Sequence, residues 1–217
     1  MVYGQIAGNK SINSTIYRCF DYISPNDALK FVKKFREQLH DQTQVMHTFR
    51  ELILGAFLGS QGFKSRYEFM VGTRTPDWCI LGEASNVVCI VELINFHLDK
   101  LTEDEIETLL PNHGWVGVLA PNNDRLYDRL WAKAQTYKAL VDDCRVSYVI
   151  TLFGVFTAAV NSDELSTCLF DRKAGLFTLY PAVSGVLYFE ENAGVYSFTY
   201  MCNPNSTQEM NLPCGVF

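Results

Sequence analysis

The chain has no lysine or arginine after Lys173, so its last 44 residues are without a positive side chain. Any polyanion this protein grips is therefore gripped by the first three quarters of the chain. Paired cysteines are also missing. The seven cysteines are scattered, odd in number and without a Cys-x-x-Cys, which points to reduced, intracellular thiols rather than a disulfide framework or zinc site. The most apolar stretch, Val146 to Val160, falls short of the ~20 residues a bilayer span needs. The opening Met-Val-Tyr-Gly-Gln lacks the apolar run of a signal peptide. A soluble, cytoplasmic protein with no membrane partner is the expectation. With 14 glycines and 7 prolines in no period, the chain is neither collagenous nor low-complexity. With only 19% charged residues against 48% apolar, it is not disordered either.

What is present fits a single domain of 217 residues with a net charge of −6. That charge is uneven: residues 1–75 hold ten basic and six acidic side chains, a local +4, which leaves −10 for the rest. Residues 11–23 are ambiguous. Ser24-Pro25-Asn26-Asp27 then opens a helix, with Ser24 as cap and Asp27 near the positive end of the dipole. Leu29, Val32, Phe35 and Leu39 form its expected apolar stripe, with Lys30, Lys33, Lys34 and Arg36 mostly off it. A second helix, from about His47 to Ser60, is apolar almost all round and stops at Gly62.

From Phe63 the period falls to two, the signature of a half-buried strand. A turn at Gly72-Thr73-Arg74 leads to Pro76-Asp77-Trp78 and a strand, then a hairpin turn over 82–86, then the near-continuous apolar strand VVCIVELINF over 87–96. Thr102 with Glu105 makes a capping box, and Trp115 to Leu119 reads as a buried strand. Asn123 caps a long helix with Leu126, Leu130, Ala134, Tyr137 and Val141 on one face. Val146 to Phe153 is strand-like, Asp163 to Phe170 a short helix, and 175–201 reads as three short strands. The pattern predicts an α/β fold, a mixed sheet flanked by helices.

Within this frame Glu92 sits in the middle of a buried strand, where an isolated charge costs several kcal/mol unless it is paired or binds a cation. Asp77 starts the neighbouring strand. Two carboxylates on adjacent strands with the Leu93 carbonyl suit a hard divalent ion, and Glu51 on the buried helix offers a further oxygen. The plain alternative is that each acid pairs with an arginine, Arg50, Arg66 or Arg74.

The order FRELILGAFLGSQGF, TPDWCILGE, VVCIVELINF, RLWAKAQTYKAL resembles the PD-(D/E)xK nuclease superfamily, whose pattern is a helix bearing Glu, a strand, Pro-Asp, a hairpin, hydrophobics-(Asp/Glu)-x-Lys and a helix bearing Gln or Lys. The resemblance covers about 45–155. It implies a restriction-endonuclease-like core there, and Mg²⁺ or Mn²⁺ held by Asp77 and Glu92 with Glu51 as the helix acid; the Leu93 carbonyl joins that ligand set, and 156–217 is extra β-structure, on the reading of the residues themselves. The activity it implies is metal-dependent phosphodiester hydrolysis, on DNA more than RNA.

One departure is plain: the motif lysine is replaced by Ile94, which shares a face with Glu92, while Asn95 points away. In one reading the lysine has migrated to Lys133, one turn from Tyr137 in the positions of the family's helical Gln-x-x-x-Tyr, with Gln135 on another face. In the other, the site is degenerate and the fold serves as a nucleic-acid-binding or protein-interaction module. Lys133 as an ordinary surface lysine is the alternative to the first. The expected phosphate contacts are Lys30, Lys33, Lys34, Lys64, Arg66 and Arg74, although the helix lysines also fit a plain solvated face. Trp78 is expected in the core, and His97 lies just past the motif. His40, His47 and His113 show no metal-ligand spacing. The cation-free C-terminal part is assigned structural or protein-contact duties, including an edge for a homodimer.

Overall fold

The computed structural model describes residues 9–96, 123–154, 160 and 162–217. The capping box at Thr102, the strand at 115–119, His97 and His113 lie outside them. Three helices come first: α1 (Lys10–Phe20), α2 (Pro25–Glu37) and α3 (Gln42–Ser60). Asn9, Ser24 and Asp41 cap them, each accepting from a first-turn amide. As expected, α3 ends at Gly62, whose φ of +83° allows the Phe63 amide to reach back to the Leu58 carbonyl at 3.1 Å.

Next come β1 (Ser65–Tyr67), β2 (Trp78–Leu81) and β3 (Val87–Phe96), an antiparallel series. β1 is shorter than its alternation predicts because Glu68 turns into the left-handed region (φ 46°), where it cannot continue a strand. After α4 (Asn123–Cys144), β4 (Ser147–Gly154) lies parallel to β3, the arrangement a helical crossover permits. Helices α5 (Ser162–Phe170) and α6 (Leu176–Leu179) precede β5 (Gly185–Asn192), β6 (Val195–Cys202) and β7 (Gly215–Val216).

The result is one seven-stranded mixed sheet in the order β1-β2-β3-β4-β5-β6-β7. Residues 176–179 are helical rather than a strand, and the C-terminal strands continue the sheet through β5, parallel to β4, instead of packing on it as a separate layer. Successive residues of a strand face opposite ways, so the sheet buries two apolar layers. Cys79, Ile90, Ile94 and Ile150 pack with α4, α5 and α6. Trp78, Ile80, Val91, Leu93 and Val149 pack with α1, α2 and α3. All seven cysteines are free. Among the described residues no helix is long and apolar enough to cross a membrane.

α2 sits differently from its predicted stripe. Leu29 and Leu39 are exposed, whereas Phe31 and Asp27 are fully buried. Phe31 stacks on Tyr67 at 4.1 Å between ring centres, and Asp27 receives Arg66 of β1 at 3.3 Å and Lys30 at 3.6 Å. Aromatic stacking and charge pairing with β1 thus select a face that an apolar count does not find.

Candidate active site

Pro76 and Asp77 enter β2 directly opposite the buried middle of β3. The Asp77 amide donates to Glu92 Oε1 at 3.0 Å, and the Leu93 amide donates to Asp77 Oδ2 at 2.7 Å. The two acids are thereby locked crosswise through each other's strand. Leu93 is engaged through its amide. Glu92 is 2% exposed and shares its face with Ile94, which lies in the apolar layer against α4.

The missing charge on that face arrives from α4. Lys133 Nζ lies 2.5 Å from Glu92 Oε2, and the Tyr137 hydroxyl bonds the same carboxylate. Leu130, Ala134 and Val141 bury the helix face between them, so the one-turn spacing of Lys133 and Tyr137 delivers both groups to one acid. Burial opposes the charge on Lys133, but Glu92 and Asp77 outweigh it and raise its pKa. Asp77 moves the other way for an acid: burial, then Glu92, then Glu51 push its carboxyl up to about 7, against the pull of Lys133 and the Leu93 amide. Among the described residues Lys133 is the lysine in contact with this pair of acids. A hard divalent cation suits this donor set. Among the described residues no three His, Cys, Asp or Glu gather around one point.

Glu51 lies across the sheet edge on α3, 3% exposed, close enough to Asp77 to raise its pKa. Tyr67 donates its hydroxyl to Glu51 Oε2, His47 Nε2 lies 3.0 Å from Oε1, and Lys34 Nζ lies 3.6 Å from Oε2. Trp78, in the core as expected, donates its indole N–H to the Glu51 carbonyl at 2.8 Å. Burial raises the Glu51 pKa, yet His47, Lys34 and Tyr67 together bring it below the ordinary range. Gly55, one turn on, leaves the space for Trp78: a Cβ there would meet the indole at 1.8 Å.

No family model, curated protein or solved structure matches this chain.

The expected phosphate contacts divide. Lys34 is a site residue, bound to Tyr67 at 2.5 Å and Glu68 at 2.7 Å. Lys30 donates to the Tyr67 carbonyl, and Arg66 pairs Asp27, so both dock α2 on β1. Lys33 and Arg74 are exposed, and Lys64 reaches Ser85 at 2.8 Å on the surface. Arg74 ends the turn closed by Val71, and its charge only partly opposes burial and Glu92, which raise the Tyr137 pKa. Gln135 donates to Tyr180 at 2.8 Å, away from the acids.

His47, Tyr67 and Asn95 are the site residues sequence reading missed, while Lys34, expected on phosphate, is engaged by Glu51, Glu68 and Tyr67. A His four residues before a Glu on one helix was the visible sign for His47. Tyr67 directly, and Asn95 through His47, reach Glu51 by tertiary contacts that leave no local pattern.

Proposed function

We propose that this protein is a metal-dependent nuclease with a restriction-endonuclease-like core, hydrolysing phosphodiester bonds. The observation that carries the reading is Lys133 at 2.5 Å from Glu92, beside Asp77: a lysine on the following helix supplies the charge that Ile94 lacks. The order of elements supports it: α3 with Glu51, β1, Pro76-Asp77, the β2–β3 hairpin with Glu92, then α4 and a parallel β4. DNA is favoured over RNA by the resemblance.

Asp77, Glu92 and the Leu93 carbonyl would hold Mg²⁺ or Mn²⁺, with Glu51 as the further acid near Asp77. When bound, such an ion activates water and offsets charge on the phosphate. Lys133 keeps a positive charge beside Glu92, which would offset the negative charge that builds on the phosphate oxygens. Tyr137 holds Glu92 in place. Exposed Arg74 stands at the α4 side to meet the phosphate backbone.

The competing reading, a binding module without catalysis, draws on Glu92 being bonded by Lys133, Tyr137 and the Asp77 amide at once. Incubating plasmid and single-stranded DNA with the protein and Mg²⁺ or Mn²⁺ separates the two. Cleavage that disappears in Asp77→Ala and Lys133→Ala is expected. Binding with no cleavage favours the module, and cleavage unchanged in Asp77→Ala overturns the nuclease.

A further inference from the structure

Asn95 lies on the face of β3 opposite Glu92 and meets α3 there. Its Oδ1 accepts from Arg50 Nη1 at 3.2 Å, and its Nδ2 faces His47 Nδ1. The other ring nitrogen, Nε2, lies 3.0 Å from Glu51 Oε1. The direction of this chain is set by chemistry at both ends. A guanidinium has only donors, so the Asn95 oxygen must face Arg50 and its NH₂ must face the ring. Nδ1 is then an acceptor. A carboxylate has only lone pairs, so Nε2 must carry the proton it shares with Glu51. Two independent constraints require the same tautomer. On the other side of Glu51 a second chain has the same direction: Lys34 donates to the Tyr67 oxygen at 2.5 Å, and Tyr67 donates to Oε2.

We propose that Asn95 is a positioning residue for Glu51: oriented by Arg50, it locks His47 as the Nε2–H tautomer, which donates to Glu51. The functional part rests on the reading of Glu51 as the further acid of the nuclease site. Glu51 is buried, and a donor held in place by a neighbouring cation fixes its rotamer and keeps Oε1 from accepting elsewhere. In metal sites, partners of this outer kind are worth about 10- to 100-fold in affinity or activity.

The test is ¹⁵N spectroscopy of the imidazoles in the full chain labelled at histidine. The chain has four histidines, and the signals lost in His47→Gln identify His47. At neutral pH the wild type is expected to show the proton on Nε2. The near-isosteric Asn95→Asp offers Nδ1 an acceptor instead of a donor and should place a proton there. A wild-type proton on Nδ1, or rapid exchange between tautomers, overturns the proposal whether or not the variant folds. So does an unchanged pattern in a folded Asn95→Asp.

On a substrate the wild type cleaves, Asn95→Asp should lower kcat about 10- to 100-fold with KM unchanged. A kcat left at the wild-type value despite a changed tautomer overturns the positioning role. A wild type that cleaves nothing, yet shows the Nε2–H pattern and its change in Asn95→Asp, removes the nuclease reading and supports the relay.

Discussion

Lys133 of α4 and Glu92 of β3 form a 2.5 Å ion pair whose acid is buried and whose lysine is about one quarter exposed. Removing either partner strands the other. Lys133→Met should destabilise the fold by up to about 3 kcal/mol, reduced by the lysine's partial exposure, because it leaves Glu92 charged and unpaired. Glu92→Gln combined with Lys133→Met should cost less than the sum of the two single changes. Urea titration of the four proteins measures that coupling, and strict additivity would mean the contact carries no energy.

Asp77 makes stability depend on pH in an unusual direction. Its folded value of about 7 lies above the ordinary 3.8, so the native state keeps a proton that the unfolded chain releases. The contribution of this group is therefore fully present below about pH 4 and is lost as pH rises toward 7, then levels off. Without divalent ions, the melting temperature of wild type relative to Asp77→Asn should fall across that window. Above pH 7, Mn²⁺ should raise the melting temperature of wild type more than that of Asp77→Asn. A difference that stays flat with pH would contradict the raised value.

Gly55 holds the place of the Trp78 indole, whose N–H meets the Glu51 carbonyl. A Cβ at 1.8 Å from that ring has nowhere to go without moving α3. Gly55→Ala should therefore destabilise by about 1–3 kcal/mol, although alanine is the better helix former. Chemical denaturation checks the sign; a stabilised variant would show that the two elements are not in this close contact.

Lys33 and Lys34 are neighbours in sequence with opposite fates. Lys33→Met should change stability by less than about 0.5 kcal/mol, as at other exposed positions. Lys34→Met removes the cation shared by Tyr67, Glu51 and Glu68, and should cost about 1–2 kcal/mol together with most of the activity. Equal effects of the two substitutions, measured by thermal melts and the cleavage assay, would place α2 in the wrong rotation.

Most of the order and kind of the elements was legible in the sequence, because caps, periods of two and 3.6, and glycine stops are local; α1, ambiguous over 11–23, and the helix at 176–179, read as a strand, were not. So was the pairing of acids: Glu92 stood out as a charge where burial forbids a lone one, and Asp77 followed a proline at a strand start. Lys133 with Tyr137 was legible as a one-turn pair on an amphipathic helix. The face that α2 buries was not, since Phe31 stacking on Tyr67 and Asp27 pairing with Arg66 are contacts between distant segments. Nor was the division of the lysines, because a cation in a helix looks the same whether solvent or a carboxylate awaits it. The absence of positive charge after Lys173 belongs to the sequence alone; that β5, β6 and β7 extend the same sheet was decided by backbone pairing with β4, which side-chain charge does not encode.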